Sequence, residues 1–171
     1  MIRIPKPRPE EHVEYYARYI KLVGDDALGA LRAQSASTPR LLSGLSEAQA
    51  MHRYAPDKWS VKQVVGHVID GERVFSYRAL RMARGDRTPL ASFDQDLFVA
   101  GSGSDQRTLA DLSDELAHLR AANLRFFRSL EPEAWERTGT ASDCTFVVCA
   151  FPWILAGHEN HHRRVLSERY L

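Results

Sequence analysis

His158, Glu159 and His162 spell H-E-x-x-H inside the apolar C-terminal stretch 152–171. Two histidines four apart lie on one side of a helix, about 40° around its axis and about one turn along it, so they can hold one metal ion together. Phe151, Ile154, Leu155, Val165, Leu166 and the aliphatic stem of Arg169 fall on that same side and place the pair in a core stripe. A buried imidazole without a partner is costly, so ligand spacing on a core face calls for something that satisfies both rings.

The pattern matches the zincin motif, in which both histidines bind zinc and the intervening glutamate polarises water. Chain order separates the two. A zincin takes its third ligand from downstream, yet the nine residues after His162 contain no histidine, and Val165 stands where the longer metzincin signature has glycine. Glu168 is too close in sequence to act as a remote ligand. If this is a metal site, its third ligand comes from upstream.

The other histidines are His12, His52, His67, His118 and His161. His12 and His52 sit in polar surroundings, and His118 lies opposite the leucine stripe of its helix. His67 follows a capping box, Ser60 with Gln63, and flanks the stripe Val61, Val64, Val68, Phe75, Ala79 and Met82 together with Gly71 and Arg78. A flank position suits a ligand that reaches into a bundle core from its edge. His161 is about 60° off the face of His158, placed to line a pocket without binding the ion.

The elements that must position these residues are helical. Apolar spacing predicts bundle helices over 25–45, 60–84, 108–130 and 145–169, with a shorter helix near 10–23 packed outside and Pro39 and Pro152 as interruptions. No alternation persists long enough to predict a sheet, and there is no internal repeat. The fold class is all-α, a four-helix bundle. The 85–107 connection is the longest; it permits parallel neighbours. Its first part carries Phe93, Leu97 and Phe98 and is a candidate lid, and its second, Gly101, Ser102, Gly103, Ser104 and Asp105, reads as a flexible turn. Glu72 is expected to pair with an arginine such as Arg120, and Asn123 to bond a neighbouring helix. Asp70, one turn after His67, is placed either to support that ring or to be a solvated surface acid.

Composition bounds the class. The 171 residues, 44% hydrophobic and 26% charged, are expected to form a single domain, 1–171, with an extended arm over 1–9. A formal net charge of +1 gives no reason to propose nucleic acid or an anionic membrane as partner. The longest apolar run, 146–157, is 12 residues, interrupted by Pro152 and too short to span a bilayer. No signal peptide is read, so Cys144 and Cys149 are expected to be reduced and the location cytoplasmic.

Four segments together resemble the DinB-like, or YfiT-like, superfamily: Tyr54 to Ser60 (YAPDKWS), His67 to Arg73 (HVIDGER), Tyr77 to Asp86 (YRALRMARGD) and Gly157 to His162 (GHENHH). The resemblance covers nearly the whole chain. It implies an up-down-down-up bundle with a short extra N-terminal helix and a long crossover making the second and third bundle helices parallel. It also implies a divalent-metal triad of His67, His158 and His162. Pro152 departs from the family pattern, because it falls where the final helix ordinarily continues.

Three neutral imidazoles leave a divalent ion its full charge and an open position, which lowers the pKa of bound water or binds a thiol as thiolate. Zinc is the first expectation, with nickel, manganese or iron as alternatives. The resemblance implies a metal-dependent enzyme that activates a low-molecular-weight thiol cosubstrate, as an S-transferase, or water, as a hydrolase, toward a small-molecule substrate. Glu159 and His161 are the candidate catalytic proton acceptors. A second copy of the chain, as a homodimer, is left open as a partner. Two rivals stand beside this reading. One is a non-catalytic, stress-linked metal-binding protein, and the other is an interaction module whose histidines merely bond one another.

Overall fold

The structure, a computed structural model, describes residues 4–171. Its helices are α1 (Glu14–Ile20), α2 (Ala27–Ser43), α3 (Glu47–Ala50), α4 (Val61–Ala83), α5 (Gln95–Gly101), α6 (Leu109–Arg128), α7 (Pro132–Trp135) and α8 (Ala150–Arg169). The strands β1 (Thr138–Ala141) and β2 (Cys144–Val147) precede α8, and single 3-10 turns occur at Pro9–Glu11 and Ser104–Gln106. No helix among the described residues is long and apolar enough to cross a membrane.

The bundle is α2, α4, α6 and α8, and its direction pattern follows from who touches whom. Glu47 accepts from the Leu109 amide at 3.0 Å and pairs with Lys62 at 2.7 Å, so α4 and α6 start side by side. Eleven residues on in each, Glu72 meets Arg120, which makes them parallel. Gln34 bonds the Ala156 carbonyl and Thr38 bonds Glu159, so α2 and α8 also run together. Tyr170, just past α8, donates to the Trp59 carbonyl just before α4 at 2.7 Å, so those two are antiparallel. The result is the up-down-down-up arrangement, with the long crossover where expected.

Two apolar clusters fill the bundle. One joins Leu31, Phe75, Met82, Phe127, Phe151 and Ile154, the other Leu42, Val61, Val65, Leu109, Leu112 and Leu166. Between them lie the buried polar side chains Gln34, Thr38, His67, Glu72, Arg120, Asn123, His158 and Glu159. A polar layer therefore crosses mid-bundle. Each such group must be paired or bound, because an orphaned one in this dry interior costs on the order of 1–3 kcal/mol.

Several expectations need correction. A sheet was not expected, yet β1 and β2 form an antiparallel hairpin closed by Ser142 and Asp143, both at positive φ (52° and 59°). That two-residue turn is ordinarily signalled by Asn-Gly, and its strands are only four residues each. The hairpin takes residues 145–147 from the last bundle helix, which begins at Ala150. Pro152 then falls in the first turn, where its missing N–H has no intrahelical partner to lose. Pro39 does not end α2. The outer helix is a 3-10 turn followed by the short α1, with Tyr19 and Ile20 buried. The 101–105 turn is pinned rather than flexible: Ser60 and Arg53 bond Asp105 at 2.5 and 2.8 Å, and Ser104 is buried against Gly66. The extended arm, expected over 1–9, is docked from Ile4 on, with the Trp153 indole donating to the Pro5 carbonyl at 3.0 Å, and its first three residues lie outside the described ones.

Candidate metal centre

His67 comes from the second turn of α4, whose N-terminus is set by the Ser60 capping box with Gln63. His158 and His162 come from α8, which is buried on every side from Ala150 to Glu159 because α1, α2 and α4 all pack on it. The antiparallel pairing of α4 with α8 brings the two sources face to face. His67 Nε2 lies 3.0 Å from His158 Nε2, and His162 Nε2 lies 3.1 Å from it. One ligand atom from each histidine falls within 4.8 Å of the others.

The approach needs a glycine. A methyl group on Gly71, one turn after His67, would stand 3.0 Å from His158 Cε1 and 3.3 Å from its Nδ1, too tight for a well-packed contact. Gly157, next to His158, gives the same closeness to the Tyr19 backbone, so α1 rests directly on α8 beside the site. The Tyr19 ring meets His158 and His161 edge-on at 5.3 and 5.4 Å, and Trp59 lies 4.9 Å from His67.

Three ring nitrogens this close need a shared electropositive atom or hydrogen bonds between the rings. Ligands held about 2.0–2.1 Å from an ion stand about 2.9 Å apart at right angles and about 3.4 Å apart in a tetrahedron. The two distances to His158 Nε2, 3.0 and 3.1 Å, fall between those limits, and the ligand atoms of His67 and His162 lie within 4.8 Å of each other. Protonation is another way to fill such a point, and the surroundings oppose it. Burial pulls His67 down from 6.5 to about 4. Burial first, then the neighbouring histidines, hold His158 and His162 well below their ordinary value. All three are neutral near pH 7, the form that binds a metal.

This neutrality has a measurable consequence for the metal-free protein. The unfolded chain takes up a proton at His67 near 6.5 and the folded chain only near 4, so the stability this residue's neutrality contributes is complete above 6.5 and lost as pH falls toward 4. The loss from His67 alone is on the order of 3 kcal/mol, and His158 and His162 act in the same direction. Metal-free protein is expected to show a steep fall in Tm between pH 6.5 and 4. A Tm flat across that window would contradict neutral, buried rings.

The other residues singled out by the sequence are placed as follows. Glu159 points into the polar layer. Thr38 donates to its Oε1, and Arg120 Nη2 lies 2.5 Å from its Oε2. Arg120 also grips Glu72 with two bonds, 2.7 and 2.5 Å, and Asn123 donates to Glu72 at 3.1 Å, so both polar expectations are met. Burial pulls the Arg120 guanidinium down, but bonding to Glu72 and Glu159 outweighs it and raises its pKa. His161 is half-buried beside the triad, its ring 4.9 Å from His162, and burial followed by Arg18 and Arg164 lowers it. No hydrogen bond joins Asp70 to His67 among the described residues; Asp70 is partly exposed, with burial raising its pKa. The candidate lid, α5, packs on α4, and the charge of Asp96 reaches His67.

Arg18, Tyr19 and Trp59 were not singled out from the sequence. Tyr19 and Arg18 lie on a helix outside the bundle, and no local pattern marks its contact with α8. Gly71 did carry a signal, its place four residues beyond His67 on one flank. A cavity of about 950 Å³ lies elsewhere, among the N-terminal arm, α7 and the hairpin, and no site histidine lines it.

The profile of the DinB superfamily matches residues 30–166. The chain belongs to the DinB superfamily. Its fold is shared with YfiT from Bacillus subtilis, described as a probable metal-dependent hydrolase with an unusual four-helix bundle topology. That match has a TM-score of 0.63 at 18% identity and covers 94% of this chain and 87% of YfiT. A mycothiol-dependent maleylpyruvate isomerase matches with a TM-score of 0.66 at 15% identity, over 80% of this chain and 58% of the isomerase. This DinB protein thus spans little more than half of that enzyme. No curated relative matches the sequence.

Proposed function

We propose that this DinB protein is a metal-dependent enzyme whose divalent ion, zinc first and nickel, manganese or iron as alternatives, is held by His67, His158 and His162. The convergence of three neutral ring nitrogens, two on the buried His67 and His158 and one on the half-buried His162, carries this reading. When bound there, the ion supplies a lowered pKa to a thiol or water in its open position. The favoured nucleophile is a low-molecular-weight thiol, because one protein of the same fold is a mycothiol-dependent isomerase; water is the second reading, after YfiT. The substrate is a small electrophile.

The chain's own residues divide the remaining work. His161 is the better placed proton acceptor, since it is neutral, half-buried and next to the triad. Glu159 has both oxygens engaged by Thr38 and Arg120, and taking a proton there would break a buried ion pair. It is therefore assigned to hold the register of α8 against α2 and α6. The zincin-like motif does not make a protease: a bundle core lacks a strand edge to align a peptide.

The test loads metal-free protein with zinc, nickel or manganese and supplies glutathione, cysteine or mycothiol with monochlorobimane, reading conjugation by fluorescence. Metal-dependent conjugation above the uncatalysed rate, lost in His158→Ala, is expected, with no cleavage of casein. Conjugation equal in the loaded and metal-free protein for every thiol would sink the transferase reading. Casein cleavage lost in His67→Ala would restore the protease.

A further inference from the structure

We propose that Arg18 is an anion-recognition residue at the mouth of the histidine site, and that the group it takes is a carboxylate on the substrate or on the thiol. The inference deepens the metal-dependent reading above and rests on it. Arg18 precedes Tyr19 on α1, and Tyr19 is the residue whose ring meets both His158 and His161. The guanidinium stands 4.7 Å from the Tyr19 ring and 3.8 Å from the Tyr15 ring, and its Nη2 donates to the Tyr19 hydroxyl at 2.8 Å. An exposed arginine ordinarily samples many rotamers. Here two aromatic faces and a hydroxyl fix the fork in advance, so less freedom is lost when it binds.

No carboxylate of the described residues lies within ion-pair distance of Arg18. The cation nevertheless borders the site, since the Tyr19 ring 4.7 Å from it meets His158 and His161 edge-on. A fixed positive charge beside a divalent ion is repulsive and weakens metal binding. An anion that spans the ion and the guanidinium reverses the sign of that interaction and is attracted by both. The carboxylate is therefore oriented toward α1, which carries Arg18.

The experiment uses cobalt-loaded full-length protein and two series of alkyl hydroxamates of matched chain length, one ending in a carboxylate and one in a methyl group. The hydroxamate binds the ion in both series, and the visible absorption of cobalt reads the affinity. At the best length the carboxylate series is expected to bind about tenfold tighter or more, the contribution of one hydrogen bond between charged groups. Arg18→Gln should erase that preference and leave the neutral series unchanged, and Arg18→Lys should restore part of it. Equal affinity of the two series, or a preference that survives Arg18→Gln, overturns the assignment while the metal reading stands. Failure of both series to perturb the cobalt spectrum overturns the open-position reading and this inference with it. Matched conjugation assays, one varying charge on the electrophile and one on the thiol, then show which molecule carries the carboxylate: loss in Arg18→Gln follows the charged one.

Discussion

Alanine at His158 or at His162 is expected to abolish stoichiometric metal binding, while His161→Ala keeps the ion. The three residues lie within five positions of one helix, so the contrast is a test of angle rather than of neighbourhood. Only the pair four apart turns its ring nitrogens toward His67, at 3.0 and 3.1 Å around His158 Nε2. Loss of a ligand should weaken binding by more than about 100-fold, beyond the range set by losing a supporting residue. Calorimetric titration with zinc, on variants shown by circular dichroism to be folded, reads the outcome. Equal weakening in all three variants would show that the register of α8 over the site is wrong.

The second large effect is on stability. Arg120, Glu72 and Glu159 are each 2% exposed and form one cluster, one cation against two carboxylates. Arg120→Met leaves both carboxylates buried without their cation and is expected to lower unfolding free energy by about 3–5 kcal/mol. Adding Glu72→Gln and Glu159→Gln should recover most of that loss, because a neutral layer has no uncompensated charge to desolvate. Urea denaturation of the single and triple variants decides it. A single variant within about 1 kcal/mol of the parent would mean that solvent reaches the layer and screens it.

The parts of this molecule legible in its sequence are those whose signal is local. Ser60 with Gln63 and the valine stripe place the start of α4 correctly, and the 3.6-residue period puts His67 on its inner flank. The spacing of His158 and His162 announced their shared face. Non-local contacts were harder. On α6 the structure buries Arg120 in line with Leu116, Asn123 and Phe127. The burial of Arg120 is possible only because Glu72 and Glu159 arrive from other helices, and no window of α6 records that. The hairpin escaped for the converse reason: Ser142 and Asp143 adopt positive φ without the glycine that advertises such turns. Arg18 and Tyr19 escaped because α1 is not a bundle helix, and its rest on α8 depends on the bare backbone of Gly157.

The central claim is that one divalent ion binds where the three ring nitrogens meet and keeps a position open. Anomalous diffraction at the zinc edge, from crystals of protein loaded with one equivalent of zinc, tests it most directly. The account predicts a single strong peak bonded to Nε2 of His67, His158 and His162, with a non-protein ligand completing the coordination. A peak at any other residues, or an ion closed off by a fourth protein ligand, would contradict it.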